Sequence, residues 1–158
     1  MEKKQSQGLD EAALSTAFGI LNAADLELLF KAPALVSVLA ASTYNRINQD
    51  QKAEALKLAH LKTFTARAEL ISYYRQVEQH FQSDFEALEK QFFPFDKPNR
   101  EALRTEIEKA NVIISKLDEH VAEVLHQSLS DYATHIKRSG IGILDDFIFP
   151  LLIKGLTC

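Results

Sequence analysis

The chain has 158 residues, of which 46% are hydrophobic and 25% charged, and its formal net charge is −4. This composition is too apolar for an intrinsically disordered protein, and the length suffices for one domain that buries a core without disulfides or metal. The acidic balance argues against a general nucleic-acid-binding protein, which needs an excess of Lys and Arg to displace counterions from phosphate. One compact basic cluster, His135, Lys137 and Arg138, falls at a predicted helix C-terminus, where cations complement the helix dipole.

Cysteine content and hydropathy indicate the compartment. Cys158 is the only cysteine, so the sequence offers no intramolecular disulfide, which fits a reducing compartment. The lysines of residues 1–8 are not followed by an apolar core, and the most apolar stretch, residues 26–41, is interrupted by Glu27 and Lys31. We therefore expect a cytoplasmic protein with neither a signal peptide nor a membrane span.

The sequence predicts a flexible polar tail at residues 1–8 and a single all-helical domain at residues 9–158. Glycine and proline are scarce, with five and four residues, which favours helices over the turns of a sheet. The domain divides into a bundle of short helices (9–64), a long helical hairpin (65–138) and a C-terminal strap (139–158).

The bundle of short helices begins with capping signals. Asp10 is placed to cap a first helix that ends near residue 21, and Asp25 to cap a short turn. Pro33 is predicted in the first turn of the next helix, which ends near residue 43, because its missing N–H is not needed there. That helix is apolar on every side, which is typical of the central helix of a domain.

A polar break follows, and Asn48 is predicted to cap a helix from residue 49 to about residue 62. The apolar stripe of this helix consists of Ala55, Leu58, Ala59 and Leu61. Ile47 is the lone apolar residue of the break, so we expect it to pin that loop to the core.

Apolar residues recur at steps of four and three from residue 65 onward, which predicts one face of a helix of about 28 residues. That face is Leu70, Tyr74, Val77, Phe81, Phe85, Leu88 and Phe92. A turn at residues 93–99 contains two prolines, and a second helix is predicted at residues 98–138. Its face is Leu103, Ile107, Ala110, Ile114, Leu117, Val121 and Val124, and then slips by one residue to Leu125, Leu129, Tyr132 and Ile136. Two such helices joined by a short turn predict an antiparallel hairpin.

The C-terminal residues are unusually apolar. Gly140 is predicted to end the second long helix as a C-cap. Beyond it, residues 147–153 read FIFPLLI, a run too apolar to lie unprotected in water. We expect this run to pack along the hairpin as an extended strap, and docking on a separate protein is the alternative.

One spacing on the second long helix suits a metal ion. Glu123 and His126 form a Glu-x-x-His step, and Glu119 lies one turn earlier. Di-iron bundles use two such steps that face each other, whereas this chain has one copy, with Glu78 and His80 on the other helix as further candidates. A divalent metal is therefore the one cofactor that the sequence suggests. Solvated charges beside an apolar face are the simpler interpretation, so no cofactor is expected.

Residues 34–41 (ALVSVLAA), a short polar break and residues 47–55 (INQDQKAEA) resemble the tellurite-resistance TerB-like family. The resemblance covers residues 26–62 and implies a helical fold and a role as a bacterial stress-associated protein. In that family an acidic turn is associated with binding of divalent metal. The corresponding positions here are Thr43, Tyr44, Asn45, Arg46 and Asn48, and Asp50 alone keeps a carboxylate. The resemblance therefore implies the fold without the metal site.

Glycine-rich phosphate loops, nucleophile elbows and zinc-type cysteine pairs are missing from the sequence, so we predict no catalytic residue. The favoured hypothesis is a non-catalytic helical interaction or scaffold protein that acts through a protein partner or self-association. One alternative is a metal-binding helical-bundle enzyme or storage protein. Another is a carrier of small apolar ligands, suggested by the ten phenylalanines.

Overall fold

The computed structural model describes residues 12, 14–43 and 46–139, and these form an all-α helical bundle, as predicted. Residues 14–18 are helical, and five longer helices follow: α1 (Ala23–Ala41), α2 (Gln49–Thr65), α3 (Ile71–Phe92), α4 (Lys97–Ile114) and α5 (Glu119–Ser139). A 3₁₀ turn, Ala68–Leu70, precedes α3. Two short strands, β1 (Ser42–Thr43) and β2 (Arg46–Ile47), pair antiparallel between α1 and α2. Over the described ranges, no helix is long and apolar enough to cross a membrane.

Four predictions fall outside the described residues. These are the flexible tail at 1–8, the Asp10 cap, the Gly140 cap and the strap that follows Ser139.

Helix α1 is the central element of the bundle. Residues 32–41 are all buried, and α1 packs against each of the other four helices, as its all-round apolarity predicted. Helix α2 packs between α3 and α5, whereas α4 makes its main contacts with α1. The core therefore lies around the second half of α1.

The prediction that Pro33 starts this helix is wrong. Helix α1 begins well before it, and the Asn22 side chain caps it by accepting a hydrogen bond from the Asp25 N–H at 2.8 Å. Asp25 is therefore not the cap. Pro33 lies inside the helix, and the Leu29 carbonyl, which its missing N–H leaves without a donor, accepts a hydrogen bond from the Tyr73 hydroxyl at 2.6 Å.

Helix α2 begins as predicted. The Asn48 side chain accepts a hydrogen bond from the Gln51 N–H at 3.0 Å, which is the geometry of an N-cap. Ile47 is 6% exposed, so it holds the loop to the core as expected. The helix continues to Thr65, slightly beyond the predicted end.

Helix α3 begins at Ile71 rather than near residue 65, because the 3₁₀ turn precedes it. The predicted apolar face from Leu70 to Phe92 is buried throughout. Helix α4 follows the turn after α3 but packs mainly against α1. The two arms of the predicted hairpin are therefore held together largely through α1.

The second arm of the predicted hairpin is two helices, so a single helix over residues 98–138 is wrong. Helix α4 ends at Ile114 and α5 begins at Glu119. Between them, the N–H groups of Lys116 and Leu117 bond to carbonyls three residues earlier, which tightens the last turn of α4. Leu117 stays buried, so the apolar pattern continues through the break. Val124 and Leu125 are both buried on α5, so the slip of the apolar face lies within α5, after the break.

The turn between α3 and α4 is fixed by Arg100. Its Nε donates to the Phe95 carbonyl at 2.8 Å, and its Nη2 donates to the Ser42 carbonyl at 3.3 Å. Phe95 is buried and has a positive φ of 55°. One guanidinium therefore joins this turn to strand β1.

Candidate functional site

The three residues of the metal hypothesis lie on α5 but do not converge. Glu119 and Glu123 are exposed, whereas His126 is half-buried and contacts α4. Across residues 12, 14–43 and 46–139, no group of three or more His, Cys, Asp and Glu side chains is arranged to hold a metal ion. In this part of the chain, the Glu-x-x-His step has no further ligands to complete it.

His126 has a partner within the bundle. Its Nε2 lies 2.6 Å from Asn111 Oδ1, so the ring donates to the amide oxygen and links α5 to α4. Burial lowers the pKa of His126 below its ordinary value, which favours the neutral ring. The hydrogen bond therefore joins the two helices that flank the break at residues 115–118.

Three further histidines each pair with a glutamate on another element. The pairs are His60 with Glu78, His120 with Glu69, and His135 with Glu54. A hydrogen bond from its own backbone N–H, followed by the His120 ring, holds the pKa of Glu69 below its ordinary value. Glu78, a further candidate for the metal site, is thereby engaged by a histidine of α2.

The basic cluster of the sequence lies on the last turns of α5, beside a groove of about 590 Å³ between α5 and α2. We call this groove the His135 groove, and its walls are Glu54, Asp131, Thr134, His135, Arg138 and Ser139. His135 Nε2 lies 3.1 Å from Glu54 Oε2, so the ring pairs with a carboxylate across the groove. Carboxylates and cations alternate here, which does not favour phosphate. Lys137 and Arg138 occupy the last turn, where the dipole interpretation placed them.

A second groove, of about 470 Å³, opens between α2 and α3. We call it the Phe93 groove, and its walls are Lys52, Glu86, Glu89, Lys90 and Phe93. Phe93 is 61% exposed, and its ring packs edge-on against Phe95 with the centroids 6.3 Å apart. The groove therefore places a largely open aromatic ring among charged side chains.

The charges of the Phe93 groove are unequally engaged. Lys52 Nζ lies 3.6 Å from Glu86 and 3.3 Å from Glu89, and 18% of its side chain is exposed. The same ammonium lies 5.6 Å from the centroid of the Phe85 ring. Lys90 is exposed and forms no ion pair with the described residues. The charge of Lys52 is thus neutralised within the bundle, whereas the ammonium of Lys90 remains available to pair with a carboxylate.

Sequence reasoning placed Phe93 in a turn and did not assign it a role. A signal for it does exist. Phe92 completes the buried apolar face of α3, so Phe93 falls beside that face and the helix pattern does not predict that it is buried.

The apolar-carrier hypothesis gains no support from the contact between α1 and α4. The void there, lined by Ala32, Leu35, Val36, Ile107 and Ala110, leaves no room for a water molecule. A carrier of small apolar molecules needs a cavity of a few hundred Å³.

In comparisons with known proteins, no family model, no curated protein and no solved structure matches this chain.

Proposed function

We propose that this protein is a non-catalytic helical interaction protein and that the Phe93 groove is its binding surface for a protein partner. The observation that carries the proposal is the 61% exposure of Phe93 in a concave, charged surface. Single exposed apolar residues are ordinary on protein surfaces. An aromatic ring inside a groove with a charged rim has the composition of a protein interface.

The groove divides into an apolar part and a charged part. Aromatic residues supply much of the binding energy of interfaces, so the Phe93 ring is the expected centre of the contact. Lys52 is already paired with two glutamates of α3, and a partner gains little from it. Lys90 is the cation left to meet an opposite charge. The partner segment that fits best presents an apolar side chain next to an acidic one.

The kind of partner, the stress-associated role and the cellular location are proposed from the sequence. The net charge of −4 supports a protein rather than a nucleic acid as the partner. The resemblance of residues 26–62 to TerB-like proteins supports a stress-associated scaffold of bacterial origin. The single cysteine supports a cytoplasmic location.

Site-specific photo-cross-linking tests the groove. A photoreactive phenylalanine analogue replaces Phe93 in the full chain, the protein is irradiated in lysate, and cross-linked proteins are identified by mass spectrometry. The identified partner is then purified, and its Kd is measured with the unmodified chain and with Phe93→Ala. Because truncating an interface aromatic costs about 2 kcal/mol or more, we expect Phe93→Ala to weaken binding roughly 30-fold.

Val112 provides the matched control, since it is 59% exposed on α4 and lies outside the groove. We expect no cross-link to the same partner from position 112 and no change in Kd for Val112→Ala. A partner whose Kd is unchanged by Phe93→Ala would overturn the assignment of the groove. Cross-links between two copies of the chain alone would also overturn a distinct partner and indicate self-association.

A further inference from the structure

Two residues of opposite charge in the His135 groove are left to meet the charges of a ligand. Asp131 and Arg138 both lie on α5 and line the groove. The Asp131 carboxylate accepts a hydrogen bond from the Gln127 side-chain amide at 2.9 Å. Neither Asp131 nor Arg138 forms an ion pair within the described part of the chain. The groove therefore holds one anion and one cation whose charges are not neutralised there.

The spacing of these two residues places their charges on one side of α5. Arg138 follows Asp131 by seven positions, which is close to two helical turns and about 10.5 Å along the axis. An ammonium group at Asp131 and a carboxylate at Arg138 are then separated by about 10 Å. An extended peptide spans about 3.3–3.6 Å per residue, so a peptide of three residues has its two termini at this separation.

Between the two ends, the groove offers hydrogen-bonding groups. His135 Nε2 lies 3.1 Å from Glu54 Oε2, so the imidazole and this carboxylate are already partners. Thr134 adds a hydroxyl to the same wall. The N–H and C=O groups of a peptide are uncharged donors and acceptors, which suit such partners. Along the groove, an anion, polar groups and a cation thus follow one another in the order that a zwitterionic peptide requires.

The size and the charges of the groove suit a small zwitterion. Its volume of about 590 Å³ lies within the range of small-ligand pockets, about 300–1,000 Å³. The guanidinium of Arg138 can bind a carboxylate through two parallel N–H groups. The carboxylate of Asp131 can accept hydrogen bonds from an ammonium group, and it repels an anion such as inorganic phosphate.

We propose that the His135 groove binds a short peptide of about three residues with free termini. The ammonium of the peptide pairs with Asp131, and its terminal carboxylate pairs with Arg138. This binding activity is separate from the proposed function of the Phe93 groove and does not depend on it.

Titration of the ¹⁵N-labelled full chain with trialanine, followed by NMR, tests the site. We expect the backbone amide signals of Thr134, His135 and Ser139 to shift, and those of the Phe93 groove to stay unchanged. N-acetylated trialanine lacks the ammonium, and trialanine amide lacks the carboxylate. Each should bind roughly threefold to tenfold more weakly, because each loses one charged contact in a partly open groove. Dialanine is about 3.5 Å shorter, so it does not reach both ends and should also bind more weakly.

Two substitutions at exposed positions assign the contacts. In Arg138→Gln, trialanine and its amide should bind equally, because the cation that distinguishes them is removed. In Asp131→Asn, trialanine and its N-acetylated form should bind equally for the corresponding reason. Arg46→Gln is the matched control, at an exposed arginine of β2 outside the groove, and it should retain both preferences.

Several results would overturn the inference. These are the absence of shifts at millimolar trialanine, equal binding of its free, acetylated and amidated forms, and dialanine binding as tight as that of trialanine. An Arg138→Gln chain that still prefers the free carboxylate would overturn the assignment of that end. None of these results changes the expected effect of Phe93→Ala on partner binding, so the two proposals fail separately.

Discussion

Tyr73 on α3 supplies the hydrogen bond that Pro33 on α1 cannot make. Pro33 has no N–H, so the Leu29 carbonyl lacks a donor within the helix. The Tyr73 hydroxyl donates to that carbonyl at 2.6 Å. Tyr73 is fully buried, and burial raises the pKa of its phenol well above the usual range, so the hydroxyl remains a donor.

Tyr73→Phe removes this donor and leaves the Leu29 carbonyl buried without a partner. An unsatisfied buried acceptor costs roughly 1–3 kcal/mol, so we expect the free energy of unfolding to fall by that amount. Urea unfolding of the full chain, followed by circular dichroism, measures the change.

A double-mutant cycle tests the role of the proline. Pro33→Ala restores a helical N–H to the Leu29 carbonyl, so Tyr73→Phe should cost less in that background. Tyr132→Phe is a matched control, because its hydroxyl donates at 2.6 Å to the Ala55 carbonyl inside α2, where no proline removes the helical donor. An equal loss for Tyr73→Phe with and without Pro33 would contradict the explanation.

This contact shows why part of the fold could not be predicted. Local rules place a proline at the start of a helix, and the donor that makes Pro33 acceptable lies on another helix. The all-α class, the central apolar helix and the Asn48 cap were predictable, since each depends on residues within one element. The break after Ile114 was not, because no glycine or proline marks it and Leu117 keeps the apolar pattern in the core.

The candidate site was less predictable than the core. An exposed Phe93 depends on how α3 and α4 diverge after the turn, and periodicity along one helix does not describe that. The metal hypothesis depended on a spacing within one helix, which does not describe what the neighbouring helix contacts. Glu123 and His126 satisfy a spacing rule on α5, but the contact of His126 with Asn111 is decided by the approach of α4.

His126 should make stability depend on pH. Its pKa in the folded state is lower than the ordinary value of 6.5, so below that pH the unfolded chain binds more protons than the folded one. The contribution of the neutral His126 ring to the free energy of unfolding is therefore complete above pH 6.5, and it declines as the pH falls toward the folded-state pKa. His126→Gln keeps an amide N–H for Asn111 and should lose this decline.

Urea midpoints measured across the range from pH 8 to pH 5 check this expectation. His80→Gln, at an exposed position on α3, removes a histidine of the same charge and should leave the decline as in the unmodified chain. If His126→Gln loses stability below pH 6.5 as steeply as the unmodified chain, the half-buried ring is not its cause.

Lys52 links α2 to α3 through Glu86 and Glu89 and lies over the Phe85 ring. Because its side chain is largely shielded, we expect Lys52→Ala to lower the free energy of unfolding by about 1 kcal/mol, more than an exposed ion pair contributes. The loss should shrink at high salt, where the carboxylates are screened.

Lys109→Ala is the control for this prediction. Lys109 is 60% exposed and pairs with Glu106 within α4, at 2.8 Å, so its removal should change stability by only a few tenths of a kcal/mol. Equal effects of the two substitutions in low salt would show that the link between α2 and α3 adds nothing beyond a surface pair.

Arg100 should not be replaceable by lysine. Its Nε and Nη2 donate to two carbonyls, those of Phe95 and Ser42, and the planar guanidinium makes both bonds from one side chain. A lysine ammonium is a single point on a flexible stem, so Arg100→Lys keeps the charge but loses one of the two bonds. We expect a loss of roughly 1–2 kcal/mol in the free energy of unfolding.

Arg67→Lys, at an exposed residue whose Nε lies 3.7 Å from Glu69, is the matched control and should be nearly neutral. Hydrogen exchange adds a local readout, because the Asn48 N–H that bonds to the Ala41 carbonyl beside β1 should exchange faster in Arg100→Lys. Unchanged exchange at Asn48 together with unchanged stability would show that Arg100 does not hold the α3–α4 turn to the strand.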